Sequence, residues 1–279
     1  MGTRTGIRII VALAVVAGLG VIGTPAAPPA AASAQATSAP TVASVVVDDW
    51  LCKPTAAHPS PVVLVHGTFS SSWNLLDRLA LRIREAGHCV FAIDYGTLAT
   101  GPIEDSAAEL RTYVGRVLAA TGAAKVSMVG HSQGGMMPRY YLKFLGGAAN
   151  VDDLVGLAAP NHGSVNPLLL TPGLGLLCRA CAQQRRGSAF LRRLNRGDET
   201  PGRVSYTNIV TRYDEVVLPH TSGYLSGPRS TNVRLQDKCP RDRSGHLRVP
   251  ENGPVIRLVL DALNRPGPAR PAYRPSCLP

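Results

Sequence analysis

Apolar and polar positions alternate along this chain in two rhythms. The run "PVVLVHG", Pro61 to Gly67, is short, β-branched and ended by glycine, the pattern of a buried parallel strand. The next segment, "LLDRLALRIREAG", spaces its apolar residues as a helix does and closes on Gly87 as a C-terminal cap. Further on, "HCVFAID" predicts a second strand, "IEDSAAELRTYVGRVLAATG" an amphipathic helix ended by Gly122, and "KVSMVG" a third strand. "GGMMPRYYLKFLGG" is a helix, "VDDLVGLAAP" a strand, "RVSYTNIVT" and "TNVRLQD" two more strands, and "PVIRLVLDALN" a last amphipathic helix closing on Asn264. This alternation predicts an α/β domain, with a mostly parallel central sheet and helices on both faces.

Three segments break the rhythm. Residues 162–202 contain "NPLLLTPGLGLLC", an apolar stretch interrupted by Pro and Gly that fits no regular core element. It reads as an insertion lining or covering a pocket for a greasy substrate, or as a buried irregular loop. The Pro-rich tail, 265–279, is expected to be held only by Cys277. At the other end, Arg4 and Arg8 precede an apolar run from Ile9 to Ile22 and the small residues "AAASAQA", the pattern of an export signal. That run is short for a membrane span. Cleavage after Ala34 or Ala36 would start the mature chain near Gln35 or Thr37, so 1–36 is expected to be signal and leader and 37–279 one secreted catalytic domain.

Export makes the six cysteines legible, because an oxidising compartment favours disulfides and an even count can pair completely. Nearest-neighbour pairing joins Cys52 to Cys89, Cys178 to Cys181 and Cys239 to Cys277, among about fifteen combinations. The "CRAC" pair could instead bind metal or act in redox chemistry. Zinc would want a second pair or nearby histidines, and a thioredoxin-like motif a strand before and a helix after. Neither context is present, so structural disulfides and no metal are expected. The formal charge of +11 falls to +9 once Arg4 and Arg8 are removed, and arginine supplies nearly all of it. These arginines are scattered without interleaved aromatics, which argues for a solvated basic surface and against nucleic acid.

The chemistry concentrates around "GHSQG", Gly130 to Gly134, which follows a predicted strand and opens a predicted helix. That context makes it a nucleophile elbow, with two glycines where strand and helix must pack closely and Ser132 exposed on the bend. A serine hydroxyl needs a base, itself oriented by an acid. In a fold of this kind the acid follows the serine and the histidine comes last. Of the seven histidines, that order leaves His220 and His246, and the Gly-flanked loop "CPRDRSGHLRVPENG" favours His246. Asp214 lies just past an alternating strand, with Glu215 as its less favoured neighbour and Asp198 and Asp237 worse placed. The oxyanion donors are expected to be the N–H of Gln133 and that of Thr68 in "HGTFSSSWN", where the Thr68 hydroxyl could add a third donor and Phe69 is the runner-up. Pro138 is awkward for so early a place in a helix.

The stretches "VVLVHGTFSSSWN", "VSMVGHSQGG", "LAAPNHGS", "TRYDEVV" and "SGH" occur in that order and cover most of the expected mature chain. Together they resemble the secreted bacterial lipases of the class 2 (triacylglycerol lipase) family, on the α/β-hydrolase fold. The chain is also similar to the lipase B type, in a threonine on the oxyanion loop and a histidine soon after a disulfide cysteine; Thr68, Cys239 and His246 match. The resemblance implies hydrolysis of water-insoluble acylglycerols or related esters at a lipid-water interface, without metal or organic cofactor. By position it makes Ser132 nucleophile, His246 base and then acid, and Asp214 its orienter. A monomer is expected. The competing functions are a short-chain carboxylesterase, an acyltransferase, or a non-catalytic domain that binds lipid or cell envelope.

Overall fold

The structure, a computed structural model, describes residues 47–71 and 75–278. The export signal and leader expected over 1–36 lie outside them. Six strands, β1 (Val62–Val65), β2 (Val90–Ile93), β3 (Val126–His131), β4 (Val151–Leu157), β5 (Ser205–Val210) and β6 (Ser230–Arg234), pair in parallel in the order β2-β1-β3-β4-β5-β6. Every residue of β1, β2, β3 and β5 is buried, which explains why β1 (VVLV) and β2 (VFAI) read as continuous apolar runs.

The helices are α1 (Asp77–Glu85), α2 (Gly96–Ala99), α3 (Ile103–Thr121), α4 (Gln133–Phe144), α5 (Leu174–Leu177), α6 (Arg179–Gln183), α7 (Ala189–Leu194), α8 (Leu235–Lys238) and α9 (Gly253–Leu263). Helices α3 and α4 cover one face of the sheet, packing on Val63, Val65, Phe91 and Met128. Helices α1 and α9 cover the other, where Leu79 and Ile83 meet Val62, Leu64 and Val155. Full burial of Leu79 and Ile83 contributes roughly 1.5–3 kcal/mol each. Winding runs from β1 outward to β2, but from β3 onward in the opposite direction, so the carboxyl ends of β1 and β3 flank a topological switch point. A crevice opens there in sheets of this kind.

Three expectations need correction. The strand predicted through Asp237 ends at Arg234, and the chain turns into α8, where Gln236 reaches back to Thr211. The segment 162–202 is not irregular throughout: a 3-10 turn at Pro167–Leu170 is followed by α5, α6 and α7, each too short to show a period. Side-chain caps start the 3-10 turn and α7, with the Asn166 side chain accepting from Leu168 N–H and the Ser188 hydroxyl from Leu191 N–H. The tail is held by much more than Cys277. Ala269 is fully buried and its N–H donates to Thr207 Oγ1 at 2.9 Å, while Arg270 grips buried Asp261 through Nε (2.8 Å) and Nη2 (2.5 Å). Arg257 donates to the carbonyls of Ser276 and Leu278. A docked segment must satisfy its backbone groups somewhere, and here distant side chains do so.

Disulfides join Cys52 to Cys89, Cys178 to Cys181 and Cys239 to Cys277. The first ties the chain before β1 to the start of β2, and the second lies within the insertion. No helix among the described residues is long and apolar enough to cross a membrane.

Candidate active site

Ser132 stands between β3 and α4 at φ 54°, ψ −126°, a left-handed conformation that costs a non-glycine residue about 1–3 kcal/mol. Its neighbours over-determine it. The Ser132 N–H donates to the Leu157 carbonyl at 2.8 Å, and its carbonyl accepts from Gly135 N–H at 2.9 Å. A Cβ on Gly130 would lie 1.9 Å from the Gly134 carbonyl oxygen, and one on Gly134 would lie 2.2 Å from the Val65 oxygen. Neither position admits a side chain. Pro138 finds its place in the same contact: the helical partner of a residue-138 N–H would be the Gly134 carbonyl, which is already pressed against Gly130. The missing hydrogen bond falls where that oxygen is committed to close packing, and α4 continues through Pro138 to Phe144.

Past β5, the turn at Asp214 carries its carboxylate onto His246, which opens a 3-10 helix after α8. His246 Nδ1 lies 3.0 Å from each Asp214 oxygen, and both side chains are buried. Asp214 Oδ1 also accepts the N–H groups of Val216 (2.9 Å) and Val217 (2.7 Å), which fix the carboxylate and keep it supplied with donors. Glu215 does something different. Its Oε2 accepts the backbone N–H of His246 at 3.0 Å, so the two adjacent acids hold the ring and the backbone of one residue. A further partner is His131, whose Nε2 donates to the His246 carbonyl at 3.0 Å and whose ring packs 4.7 Å from the imidazole of His246. Burial first, and the neighbouring His246 second, lower the His131 value to about 3, so it is neutral at ordinary pH.

Ser132 and His246 line one cavity of about 450 Å³, walled chiefly by apolar side chains including Phe69, Leu169, Val217 and Leu247. No hydrogen bond joins the Ser132 hydroxyl to the His246 ring among the described residues. His220 does not line this cavity; it begins a separate 3-10 turn.

On the opposite wall, three side chains from distant parts of the chain are locked together. The Thr68 hydroxyl donates to Gln133 Oε1 at 2.6 Å. Gln184, just past α6, presents Nε2 to Thr68 Oγ1 (3.0 Å), Gln133 Oε1 (3.1 Å) and the Ala180 carbonyl (3.2 Å). The Thr68 hydroxyl, expected as a spare oxyanion donor, therefore spends its proton on Gln133 in this state. The backbone is more open. Gln133 is the first residue of α4, where N–H groups lack helical partners, and the N–H groups of Gln133 and Thr68 meet no acceptor among the described residues. The N–H of Phe69, the runner-up, instead donates to the Leu98 carbonyl at 2.8 Å. No cluster of metal-ligating side chains occurs among the described residues.

The parallel sheet, the strained serine between strand and helix, and the acid and histidine on later loops define an α/β hydrolase. The chain belongs to the lipase (class 2) family, which matches residues 59–257. It is 35% identical over 164 residues to a triacylglycerol lipase of Burkholderia plantarii, a match covering 53% of this chain and 42% of that protein. A triacylglycerol lipase of Pseudarthrobacter phenanthrenivorans is 37% identical over 137 residues, covering 43% and 41% respectively. The matched stretches thus span less than half the length of these relatives. Among solved structures, Aspergillus fumigatus lipase B superposes with a TM-score of 0.70 at 24% identity, over 80% of this chain and 57% of that one. Mature Bacillus licheniformis lipase BlEst2 superposes with 0.60 at 19% identity, over 78% and 95%. Those two likenesses concern the fold.

Proposed function

We propose that this chain is a secreted serine hydrolase of carboxylic esters, a triacylglycerol lipase working through an acyl-enzyme, with 1–36 removed on export and 37–279 acting as a monomeric catalytic domain. The observation that carries the reading is that a strained Ser132 and an Asp214-bound His246 open on the same apolar cavity, whose lining includes Thr68, while the N–H of Gln133 follows Ser132 directly at the start of α4. Family membership and the named lipase relatives support the ester as substrate. The three disulfides support an oxidising compartment.

Asp214 accepts Nδ1–H of His246, leaving Nε2 free to take a proton. As Ser132 Oγ attacks the ester carbonyl its proton passes to Nε2, and the carbonyl electron pair moves onto oxygen, where the Thr68 and Gln133 N–H groups stabilise it. Collapse expels the alcohol, which takes the proton from His246. Water then repeats the sequence on the acyl-enzyme, releasing the acid and restoring Ser132. The Ser132 to His246 contact is one that closes in the substrate complex, as such bonds commonly do. His131, kept neutral by burial, adds no repelling charge when His246 becomes imidazolium.

Hydrolysis of p-nitrophenyl butyrate, p-nitrophenyl palmitate and an emulsified triglyceride tests the substrate class. Comparable or greater turnover of the emulsion is expected. Strong preference for dissolved butyrate would make the enzyme a short-chain esterase, and accumulation of a new ester when an alcohol is added would make it an acyltransferase.

A further inference from the structure

The insertion between β4 and β5 has a fixed base and a bare apolar crest. Fully buried Arg139 of α4 donates to Asn161, Asn195 and the Glu199 carbonyl, and Lys143 Nζ donates to the carbonyls of Leu194, Arg196 and Asp198. Above that base, Leu168 is 75% exposed and Leu176 and Leu177 are each 86% exposed. They adjoin the cavity through their neighbours: Leu169, between Leu168 and Leu170, lines it, and α5 packs against α6, whose Cys181 lines it too. Phe69, 65% exposed on the opposite rim, completes an apolar ring that a soluble monomer has no structural need to display.

The charge of this segment is one-sided. Residues 162–197 contain six arginines and no Asp or Glu. None of the six pairs with a carboxylate among the described residues. Arg185 donates to the Thr171 carbonyl and Arg193 lies over the rings of Tyr140 and Phe144. Arg179, directly after the crest, and Arg186 are exposed and make no side-chain hydrogen bond or ion pair among the described residues.

We propose that this crest docks the cavity mouth onto an anionic phospholipid surface, with Leu168, Leu176 and Leu177 entering the acyl region and Arg179 and Arg186 taking the phosphate headgroups. A soluble polyanion would match the arginines but offer no phase for the leucines, whereas a neutral oil surface would match the leucines and leave the arginines without partners. The inference rests on reading the cavity as an ester-cleaving site, since docking its mouth on lipid serves delivery of an acyl ester. Each arginine held at such a surface raises partition by about five-fold, an effect that fades as salt shortens the screening length to about 3 Å near 1 M.

The test is co-sedimentation of the full mature chain with phosphatidylcholine vesicles and with otherwise identical vesicles containing phosphatidylglycerol. Three proteins are compared: wild type, Arg179→Gln with Arg186→Gln, and Leu176→Ser with Leu177→Ser. Wild type is expected to prefer the anionic vesicles by more than ten-fold at low salt. The arginine pair should lose roughly 25-fold of that binding yet keep its turnover of dissolved p-nitrophenyl butyrate, and the leucine pair should lose binding to both vesicles. Equal partition of wild type between the two vesicles, or an arginine pair that keeps the full preference, overturns the proposal. So does retention on DNA or heparin without vesicle binding, which assigns the arginines to a soluble polyanion. Fluorophosphonate labelling is run on the same samples. Vesicle binding without labelling sinks the hydrolase reading alone, and labelling without vesicle preference sinks the docking alone.

Discussion

Gln184 is the residue whose removal says most about how the proposed oxyanion wall works. Its Nε2 carries two hydrogens and faces three acceptors, at 3.0 Å on Thr68, 3.1 Å on Gln133 and 3.2 Å on Ala180. If the Thr68 hydroxyl turns its proton from Gln133 Oε1 to the developing oxyanion, that buried amide oxygen needs a replacement donor, and Gln184 is in place to supply it. Gln184→Met keeps the volume and removes the donor. Turning Thr68 then leaves a buried carbonyl oxygen unsatisfied, at about 1–3 kcal/mol, so kcat for p-nitrophenyl butyrate should fall roughly 5- to 150-fold with KM little changed. The control is Thr68→Val, which has no hydroxyl to turn. In that background Gln184→Met should cost nearly nothing further, giving a coupling energy close to the single-mutant loss. Wild-type kcat in Gln184→Met, or the same loss in both backgrounds, would refute the reasoning and reduce Gln184 to a packing residue of the insertion.

Two buried groups should tilt stability against pH in opposite directions. His131 falls from 6.5 to about 3, so across that window the unfolded chain binds a proton that the folded chain refuses; stability is complete above 6.5 and drains away as pH falls, with a ceiling of about 5 kcal/mol that His131→Gln removes. Asp153, raised from 3.8 to about 7 by burial and then by Asp152, works the other way: stability falls as pH climbs through that window, and Asp153→Asn should exceed wild type at alkaline pH by up to about 4 kcal/mol. Urea midpoints across pH read both, and flat differences between variant and wild type would exclude them. Among the disulfides, replacing Cys52 and Cys89, 37 residues apart, should cost about 4 kcal/mol, whereas replacing Cys178 and Cys181, three apart, should cost about 1.5 kcal/mol. The second pair should nonetheless lower kcat, because Cys178 Sγ accepts the Cys181 N–H in the α6 turn that leads to Gln184; unchanged kcat would separate that turn from the oxyanion wall.

The strands and long helices were legible because burial on two sheet faces writes itself as continuous apolar runs and burial on one helix face as a 3.6-residue period. The elbow was legible for a stronger reason: only glycine fits at residues 130 and 134. What stayed hidden depends on distant partners. Gln184 meets Thr68 across 116 residues and no local pattern marks it, although its place just after a disulfide turn in the insertion was a signal available in retrospect. The neighbours Asp214 and Glu215 are nearly alike in sequence, and only the turn after β5 aims one at the His246 ring and the other at its backbone. The tail looked loose because Thr207 and Asp261, which hold it, belong to β5 and α9. Helices of four to six residues, such as α5 to α7, have too few turns to carry a period.

The central claim is that Ser132 is the nucleophile of an ester hydrolase, and its most direct test is the intact mass of the protein after treatment with a fluorophosphonate, followed by peptide mapping. The account predicts one adduct, on the peptide containing Ser132, with parallel loss of p-nitrophenyl butyrate turnover, and neither adduct nor turnover in Ser132→Ala. Turnover that persists in Ser132→Ala, or an adduct mapped to another residue, would contradict it.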